Sequence, residues 1–529
     1  MRLRGVALCL LIGAIPAAGL CQSDDPGAPP AGIVPAELSL AQVLARHERA
    51  QPFAAAPVYS QTWAYSRAGL TGSETDVVSQ QDERVDVQLG PFHSAHGIFR
   101  GVRWIQNENG AVRNVSGIHR MDEADDAALA HASEEASGVQ LLGRVADPAA
   151  YVVRVHPRGG RLEYLYYDVS SYRLVKADRV VENRRVTTVY DDFRTVGSRV
   201  LPGHIHETNG LSGDDQDWTL QNAGISGVSS AVLTPPAGAA PFELGARRTT
   251  LPATFSADRV ILAAKLAGHT VNFQLDSGAS TILLDRGIAD ATGAQSFGKS
   301  TQVTAGEYNV SDTLTGSIGL GDALIRHAVV ETAPFHMRTY GGDPVAGLLG
   351  YDFFASFVVH LDYQHAAAEA FASDAFTAPA GAIELPARLD DGVPVIEVRI
   401  GTARARNFIV DTGADRSMIF SAFANAHPLD VPNAQAGEAS EDFLPTADQV
   451  GGVGGMVQVY PATVSGFSVG SLNFARWQFD VSQNAPGFES EDYDGLLGQD
   501  FLRYFDVYFD YPQSRVYLLP NDRYRDRFA

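Results

Sequence analysis

The sequence predicts a mainly β protein, in which two tandem copies of one unit follow an antiparallel-sheet domain that carries a helix. Three observations lead there. A pattern built on an aspartate recurs at fixed spacing within residues 250–520. Short stretches of alternating apolar and polar residues, separated by turn clusters, fill much of the chain before it. The 529 residues include 51 Gly and 27 Pro, the turn formers such an architecture needs, and the 45% hydrophobic content suffices for more than one core.

In chain order, Met1-Arg-Leu-Arg4, an apolar stretch from Gly5 to Ile15 and the small residues Ala17-Ala-Gly19 have the layout of a secretory signal over residues 1–21. The stretch is too short to anchor in a bilayer, so the expectation is an exported protein, periplasmic or secreted, with no integral membrane span. Leu20 precedes Cys21 where a lipidation signal has Gly or Ala, which argues against a lipid anchor there. Both cysteines, Cys9 and Cys21, fall in or beside this segment, leaving the folded part without a disulfide.

Residues 22–36, rich in Asp, Pro, Gly and Ala, read as a loose tether. Leu38 to Ala50 has helical spacing through Leu40, Val43 and Leu44. Alternation in Thr62-Trp-Ala-Tyr65, Val85-Asp-Val-Gln-Leu89, Leu162-Glu-Tyr-Leu-Tyr-Tyr167, Arg185-Val-Thr-Thr-Val-Tyr190 and Trp218-Thr-Leu220 predicts strands, and hence a helix laid on a large antiparallel sheet over residues 37–234. That pattern is loosely similar to the half-barrel domains of periplasmic lipoprotein carriers. Pro235-Pro-Ala-Gly-Ala-Ala-Pro241 opens a linker, 235–249, that would permit independent motion. Lobes over 250–375 and 376–529 follow.

The repeat is a register. Phe273-Gln-Leu-Asp-Ser-Gly-Ala279 matches Phe408-Ile-Val-Asp-Thr-Gly-Ala414, with the aspartates 135 positions apart (411 − 276). Gly347-Leu-Leu-Gly350, Asp352-Phe353, Phe357, Val359 and Asp362-Tyr363 recur as Gly495-Leu-Leu-Gly498, Asp500-Phe501, Phe505, Val507 and Asp510-Tyr511, each 148 positions on (498 − 350). The second copy therefore carries 13 extra residues (148 − 135) between its aspartate and its Leu-Leu-Gly, an insertion suited to a loop. A lone Asp-Ser/Thr-Gly is an ordinary turn tripeptide; two in register, each with the same downstream pattern, bring two carboxylates toward one site.

These motifs resemble the aspartic peptidases, and within them the retropepsin-like group, whose pattern is apolar-apolar-Asp-Thr/Ser-Gly-Ala followed by apolar-apolar-Gly. The resemblance covers about residues 250–520 and implies two tandem retropepsin-like β-barrel lobes that form one pepsin-like bilobal unit, with both aspartates in one chain. It implies an aspartic endopeptidase acting on peptide or protein, with Asp276 and Asp411 as the catalytic pair, no cofactor and no metal. A monomer follows from having both aspartates in one chain. Ser277, Gly278, Ala279, Thr412, Gly413 and Ala414 would support the aspartate loops, Ser277 and Thr412 by hydrogen bonds across the two-fold relation, with the Leu-Leu pairs packed beneath. Val450-Gly-Gly-Val-Gly-Gly-Met456 is similar to the glycine-rich flap of the retroviral enzymes, making Gly451, Gly452, Val453, Gly454 and Gly455 candidate substrate contacts. Tyr308 of Gly306-Glu-Tyr308 falls at the matching place in the first copy, which lacks the double-glycine pattern.

The chemistry suits the residue types. Two carboxyls a few ångström apart in a poorly solvated place hold one proton between them. One can then take a proton from water while the other donates to a scissile carbonyl, and which does which is a property of the pair. The rival reading is a peptide-binding or scaffold protein that uses the same cleft without turnover. A divalent-metal reading of the two aspartates falls short on ligand count; the clusters His93/His96 and His204/His206 invite a zinc reading, but two histidines on one strand face of a polar sheet, as His204 and His206 would be, are more often merely solvated. Gly466-Phe-Ser-Val-Gly470 fits the serine-hydrolase pattern, but Leu472 to Phe479 alternates as a strand where that motif needs a helix, so a hairpin turn is expected. The net charge of −22 disfavours nucleic acid as a partner.

Overall fold

The computed structural model describes residues 25–52, 58–79, 81–115, 124–125, 127–132, 137–181, 184–197, 199–211, 213–225, 230–256, 259–303, 307–334, 337–339, 341–432, 449–452, 455–483 and 493–528. The signal-like segment with Cys9 and Cys21 lies outside them. The protein is mainly β. Among the described residues no helix is long and apolar enough to cross a membrane.

Residues 59–225 form a curled thirteen-stranded sheet of antiparallel neighbours. The chain runs from Tyr59–Arg67 outward to Val112–Asn114 at one edge, and the second series runs from Val139–Ala146 at the other edge back to Gln216–Ile225, which closes on Tyr59–Arg67. The alternation seen in the sequence puts Trp63, Tyr65, Val85, Val87, Ile205 and Trp218 into one apolar cluster. The expected helix is Leu40–Ala50, capped by Ser39 with Gln42 returning the bond. Its Val43, Leu40 and Leu44 pack on Tyr151, Val153, Leu165 and Tyr167 of the sheet.

Two expectations need correction here. From residue 25 the presumed tether is fastened: Val34 and Arg144 exchange backbone hydrogen bonds of 2.8 Å, and the Tyr164 hydroxyl donates to the Gly27 carbonyl. The linker also ends early, because Phe242 is buried against Phe353, and Glu243–Leu244 and Arg248–Thr250 pair with Ala323–Ile325 and Ala367–Phe371. Open strand edges recruited the residues that follow the Pro-Ala-Gly run 235–241.

The two copies of the repeat fold alike. In each, the strand ending at the aspartate (His269–Leu275, Ala403–Val410) lies parallel to the Gly-Leu-Leu strand (Gly347–Leu349, Gly495–Leu497). A short third strand (Leu283–Asp285, Met418–Ile419) runs antiparallel beside that one. The helices Arg286–Ala291 and Ser421–Ala426 are still offset by 135 (421 − 286), so the 13 extra residues enter after them. A six-stranded sheet joins the copies, and at its centre Val358–Asp362 pairs antiparallel with Phe505–Asp510. His360 faces Tyr508, the same repeat position (508 − 360 = 148), with rings stacked at 4.1 Å. A pseudo-two-fold axis therefore passes through that pair.

The amino-terminal sheet is docked on the first copy, where sequence reading expected independent motion. The Lys299 amide donates to Ala68 at 2.9 Å and Phe92 meets Phe297 edge to face, while Arg113 reaches the second copy, pairing with Asp391 at 3.1 Å. Between the two parts a small cavity is lined by Glu108, Asp312, Glu331 and Asp352, with Arg113 and Asp391. Asp312 and Glu331 stand directly opposite on antiparallel strands, an unfavourable pairing when both are ionised. Burial raises Glu331 to about 8, helped by Asp312 and Glu108 and opposed by Gln302 and Arg67. Burial likewise raises Glu108 to about 7.

A carboxyl raised in the folded state contributes stability that is complete below its unfolded value and is lost as pH rises through the folded one, here from 4.5 to about 8 for Glu331. Glu331→Gln removes that loss. The variant is expected to melt above the parent at about pH 8.5 and level with it at about pH 4.5. Equal melting temperatures at both pH values would show that Glu331 is not held protonated.

Candidate active site

Asp276 and Asp411 each sit one residue past the end of their strand, where a backbone bond to the parallel Gly-Leu-Leu strand holds them: Asp276 N–H donates to Leu349 at 3.0 Å and Asp411 N–H to Leu497 at 2.9 Å. Both are partly exposed, so water can reach them, while their carboxyls lie in surroundings poor in water. The structure brings the two together. A methyl-sized group on Gly278 would lie 2.6 Å from the Asp411 carboxyl carbon, and one on Gly413 would crowd the Asp276 carboxyl still more closely. Each glycine is thus required by the aspartate of the other copy, a close approach that no side chain permits.

The loops brace one another reciprocally. The Thr412 hydroxyl accepts from the Ser277 amide at 2.9 Å and donates to Leu275 at 3.0 Å. The Ser277 hydroxyl accepts from the Thr412 amide at 2.9 Å and donates to Val410 at 2.7 Å. Both hydroxyl residues are fully buried, so these four bonds have no competition from water. Within each loop, the Gly278 amide donates to the Asp276 carboxylate at 2.9 Å and the Gly413 amide to Asp411 at 2.7 Å.

Burial is the largest influence on both carboxyls. It raises Asp276 well above the usual aspartate value, the neighbouring Asp411 charge adds to that, and the loop amides act the other way. Burial also raises Asp411, against the Gly413 amide and the hydrogen bond with Asp276. Two carboxyls so placed hold a proton between them over a range where free aspartates are ionised.

The remaining sequence-predicted residues fall around this pair. Ala279 and Tyr308 flank an apolar cluster with Ile261, Leu283, Val310 and Leu348. Ala414 flanks its counterpart with Met418, Phe420, Val457 and Leu496. Tyr308 donates its hydroxyl to Gln302 at 3.1 Å, within the hairpin formed by Gln295–Val303 and Glu307–Leu314. Gly451 pairs with Met456 and Gly452 with Gly455 in the matching hairpin of the second copy, whose turn residues Val453 and Gly454 lie outside the described residues. Ser468 belongs to a plain hairpin, Gly455–Val469 with Leu472–Gln483, as expected. His204 and His206 share a strand face and both turn to Asp217, at 3.4 and 2.9 Å.

Sequence reasoning missed three supports. Gln274 donates to the Gly413 carbonyl at 3.1 Å and Gln499 to the Thr412 carbonyl at 2.7 Å, so each amide reaches a loop around Asp411. Tyr511, buried beneath, donates to the Ser277 carbonyl at 3.1 Å, and burial together with both aspartates keeps its hydroxyl protonated. All three were visible as breaks in the repeat or members of it: Gln274 corresponds to Ile409 (409 − 135), Gln499 to Tyr351 (499 − 148) and Tyr511 to Tyr363 (511 − 148).

The model of the aspartyl protease family matches residues 262–353 and 396–501, and each matched segment contains one of the two aspartates. In these segments the chain is aspartic-protease-like. No curated protein matches it. Among solved structures it is similar to an aspartic proteinase from Irpex lacteus, at 14% identity over 52% of this chain and 98% of that one, with a TM-score of 0.34. It is also similar to a LolA superfamily protein from Nitrosomonas europaea (13% identity, 37% of this chain, 98% of that one, TM-score 0.29). A third is a DUF1329 family protein from Desulfovibrio piger (13% identity, 36% of this chain, 95% of that one, TM-score 0.28).

Thr412→Val keeps the shape of the side chain and removes its hydroxyl, leaving the buried Ser277 amide without an acceptor. It is expected to cost about 1–3 kcal/mol in denaturant unfolding. An unfolding midpoint equal to the parent's would mean that the reciprocal brace contributes nothing to stability.

Proposed function

We propose that the protein is an aspartic endopeptidase in which Asp276 and Asp411 hydrolyse a peptide bond through a water held between them. The observation that carries this is the facing of two buried carboxyls, each pressed against the other's glycine and raised above its ordinary value. In the singly ionised pair, the ionised carboxylate takes a proton from the water as it attacks the scissile carbonyl. The protonated carboxyl donates to the carbonyl oxygen, giving a neutral tetrahedral intermediate with no covalent bond to the enzyme. Collapse returns a proton to the amine and frees the two peptides.

The loop supports act through position. Reciprocal bonds between Ser277 and Thr412 fix the spacing of the carboxyls, and preorganised geometry of this kind lowers the barrier without rearrangement during reaction. The apolar clusters on either side, one around Leu348 with Tyr308 and one around Leu496 with Val457, would receive substrate side chains flanking the cleaved bond. The hairpins bearing Tyr308 and Gly451-Gly452 would close over the peptide. We read the chain as a monomer acting on exported or extracellular protein, in line with its signal-like start.

Asp276→Asn and Asp411→Asn are each expected to abolish cleavage of denatured protein and to melt at or above the parent's temperature, since each removes a carboxyl whose ionisation is unfavourable in a poorly solvated place. Full turnover in either variant removes the assignment, and peptide binding by a parent that shows no turnover favours the non-catalytic reading instead. Activity should follow a bell in pH, lost on the acid side when both carboxyls are protonated and on the alkaline side when both are ionised.

A further inference from the structure

The two copies of the repeat treat one buried aspartate differently. Asp352 and Asp500 occupy the same position (500 − 352 = 148), at the start of the short helices Tyr351–Phe354 and Gln499–Leu502. Burial raises each to about 6. In the second copy Asp500 is satisfied by its own lobe, accepting from the Ser417 amide at 2.8 Å and the Ser417 hydroxyl at 2.7 Å. The same hydroxyl accepts from the Gly498 amide at 3.1 Å, so the loop that follows Asp411 is tied to the helix.

The first copy lacks that serine. Ile282 stands where Ser417 would be (417 − 135 = 282), and its side chain offers no donor. Asp352 accepts instead from the Asn107 side-chain amide at 2.7 Å and the Asn109 side-chain amide at 2.9 Å, both on the loop that leads into the edge strand of the amino-terminal sheet. Asn109 also holds the same lobe at a second point: its amide donates to the Val329 carbonyl and its oxygen accepts from the Val329 amide, both at 2.8 Å. Asn107 shapes its own loop by accepting from the Ala111 amide at 2.9 Å.

The helix that begins beside Asp352 touches the aspartate loop directly. The Tyr351 amide donates to the Ala279 carbonyl at 3.0 Å. Gly350 lies so close to the carbonyls of Ala279 and Thr281 that a side chain there would strike them. Residues 350–351 thus bear directly on 279–281, and the Ala279 amide in turn donates to the Asp276 carbonyl at 3.3 Å.

We propose that Asn107 and Asn109 are positioning residues for the Asp276 loop, and that the amino-terminal sheet supplies to the first lobe the support that Ser417 supplies to the second. The kinetic part of this proposal rests on the peptidase reading above; the structural part does not. A complete framework for the site is thus formed by three parts of the chain, two lobes and the loop 107–111.

The test uses the full chain with Asn107→Ala/Asn109→Ala, and Ser417→Ala as its mirror, read by amide hydrogen exchange and by cleavage of denatured protein. The double variant is expected to speed exchange at 276–282 and 350–354 and to leave 411–417 unchanged, while Ser417→Ala does the reverse. kcat should fall on the order of tenfold or more with KM little changed. If exchange quickens only in 107–111 and at Val329, the asparagines merely hold the interface and the proposal is overturned. Equal quickening of both aspartate loops overturns it as well. Should the parent show no cleavage that depends on Asp276, the peptidase reading fails, and the exchange pattern still decides the role of the asparagines.

Discussion

Two carboxyls held in contact where water is scarce, which cannot both be ionised there, are the constraint on which the rest of this structure depends. Left alone, Asp276 and Asp411 would move apart or draw in solvent. They stay because the backbones that carry them cannot separate: Ser277 and Thr412 each bond the other's loop twice, in a place sealed from water. Gly278 and Gly413 then let each carboxyl lie against the opposite loop. The raised affinity for protons is the electrostatic consequence of that geometry.

The symmetry is produced by strand pairing well away from the carboxyls. The central sheet pairs the same segment of both copies about His360 and Tyr508, and the core behind it is one continuous apolar cluster spanning both lobes, from Leu262 and Phe273 to Phe408 and Leu497. A shared core of this kind makes the lobes one folding unit, so the aspartate spacing is set by packing as much as by the hydrogen bonds at the site. The departures from symmetry are polar: Gln274 against Ile409, Gln499 against Tyr351, and Ser417 against Ile282. Buried polar groups need partners, so each departure alters which part of the molecule holds a loop in place.

Much of this was legible in the sequence because it lives in local pattern. The fixed offsets of 135 and 148 located both aspartate loops and the Gly-Leu-Leu segments beside them, since a repeat in register folds the same way twice. Alternation identified the strands at Trp63, Val85 and Trp218, and spacing identified the helix through Val43. What escaped depends on contacts between distant residues. The segment 25–36 looked loose because its composition is turn-like, yet it is bound through backbone groups that any residue offers. The docking of Asn107 and Asn109 on Asp352, more than 240 residues on, leaves no local trace; only the substitution of isoleucine for serine between the copies hints that the first lobe needs help from elsewhere.

The shared proton is tested most directly by following the carboxyl carbons of Asp276 and Asp411 with selective carbon-13 labelling across the pH range in the intact protein. The account predicts two coupled steps, with one carboxyl protonated and one ionised over a broad interval extending above the ordinary aspartate value of 3.8. Two independent titrations, both near that ordinary value, would contradict it.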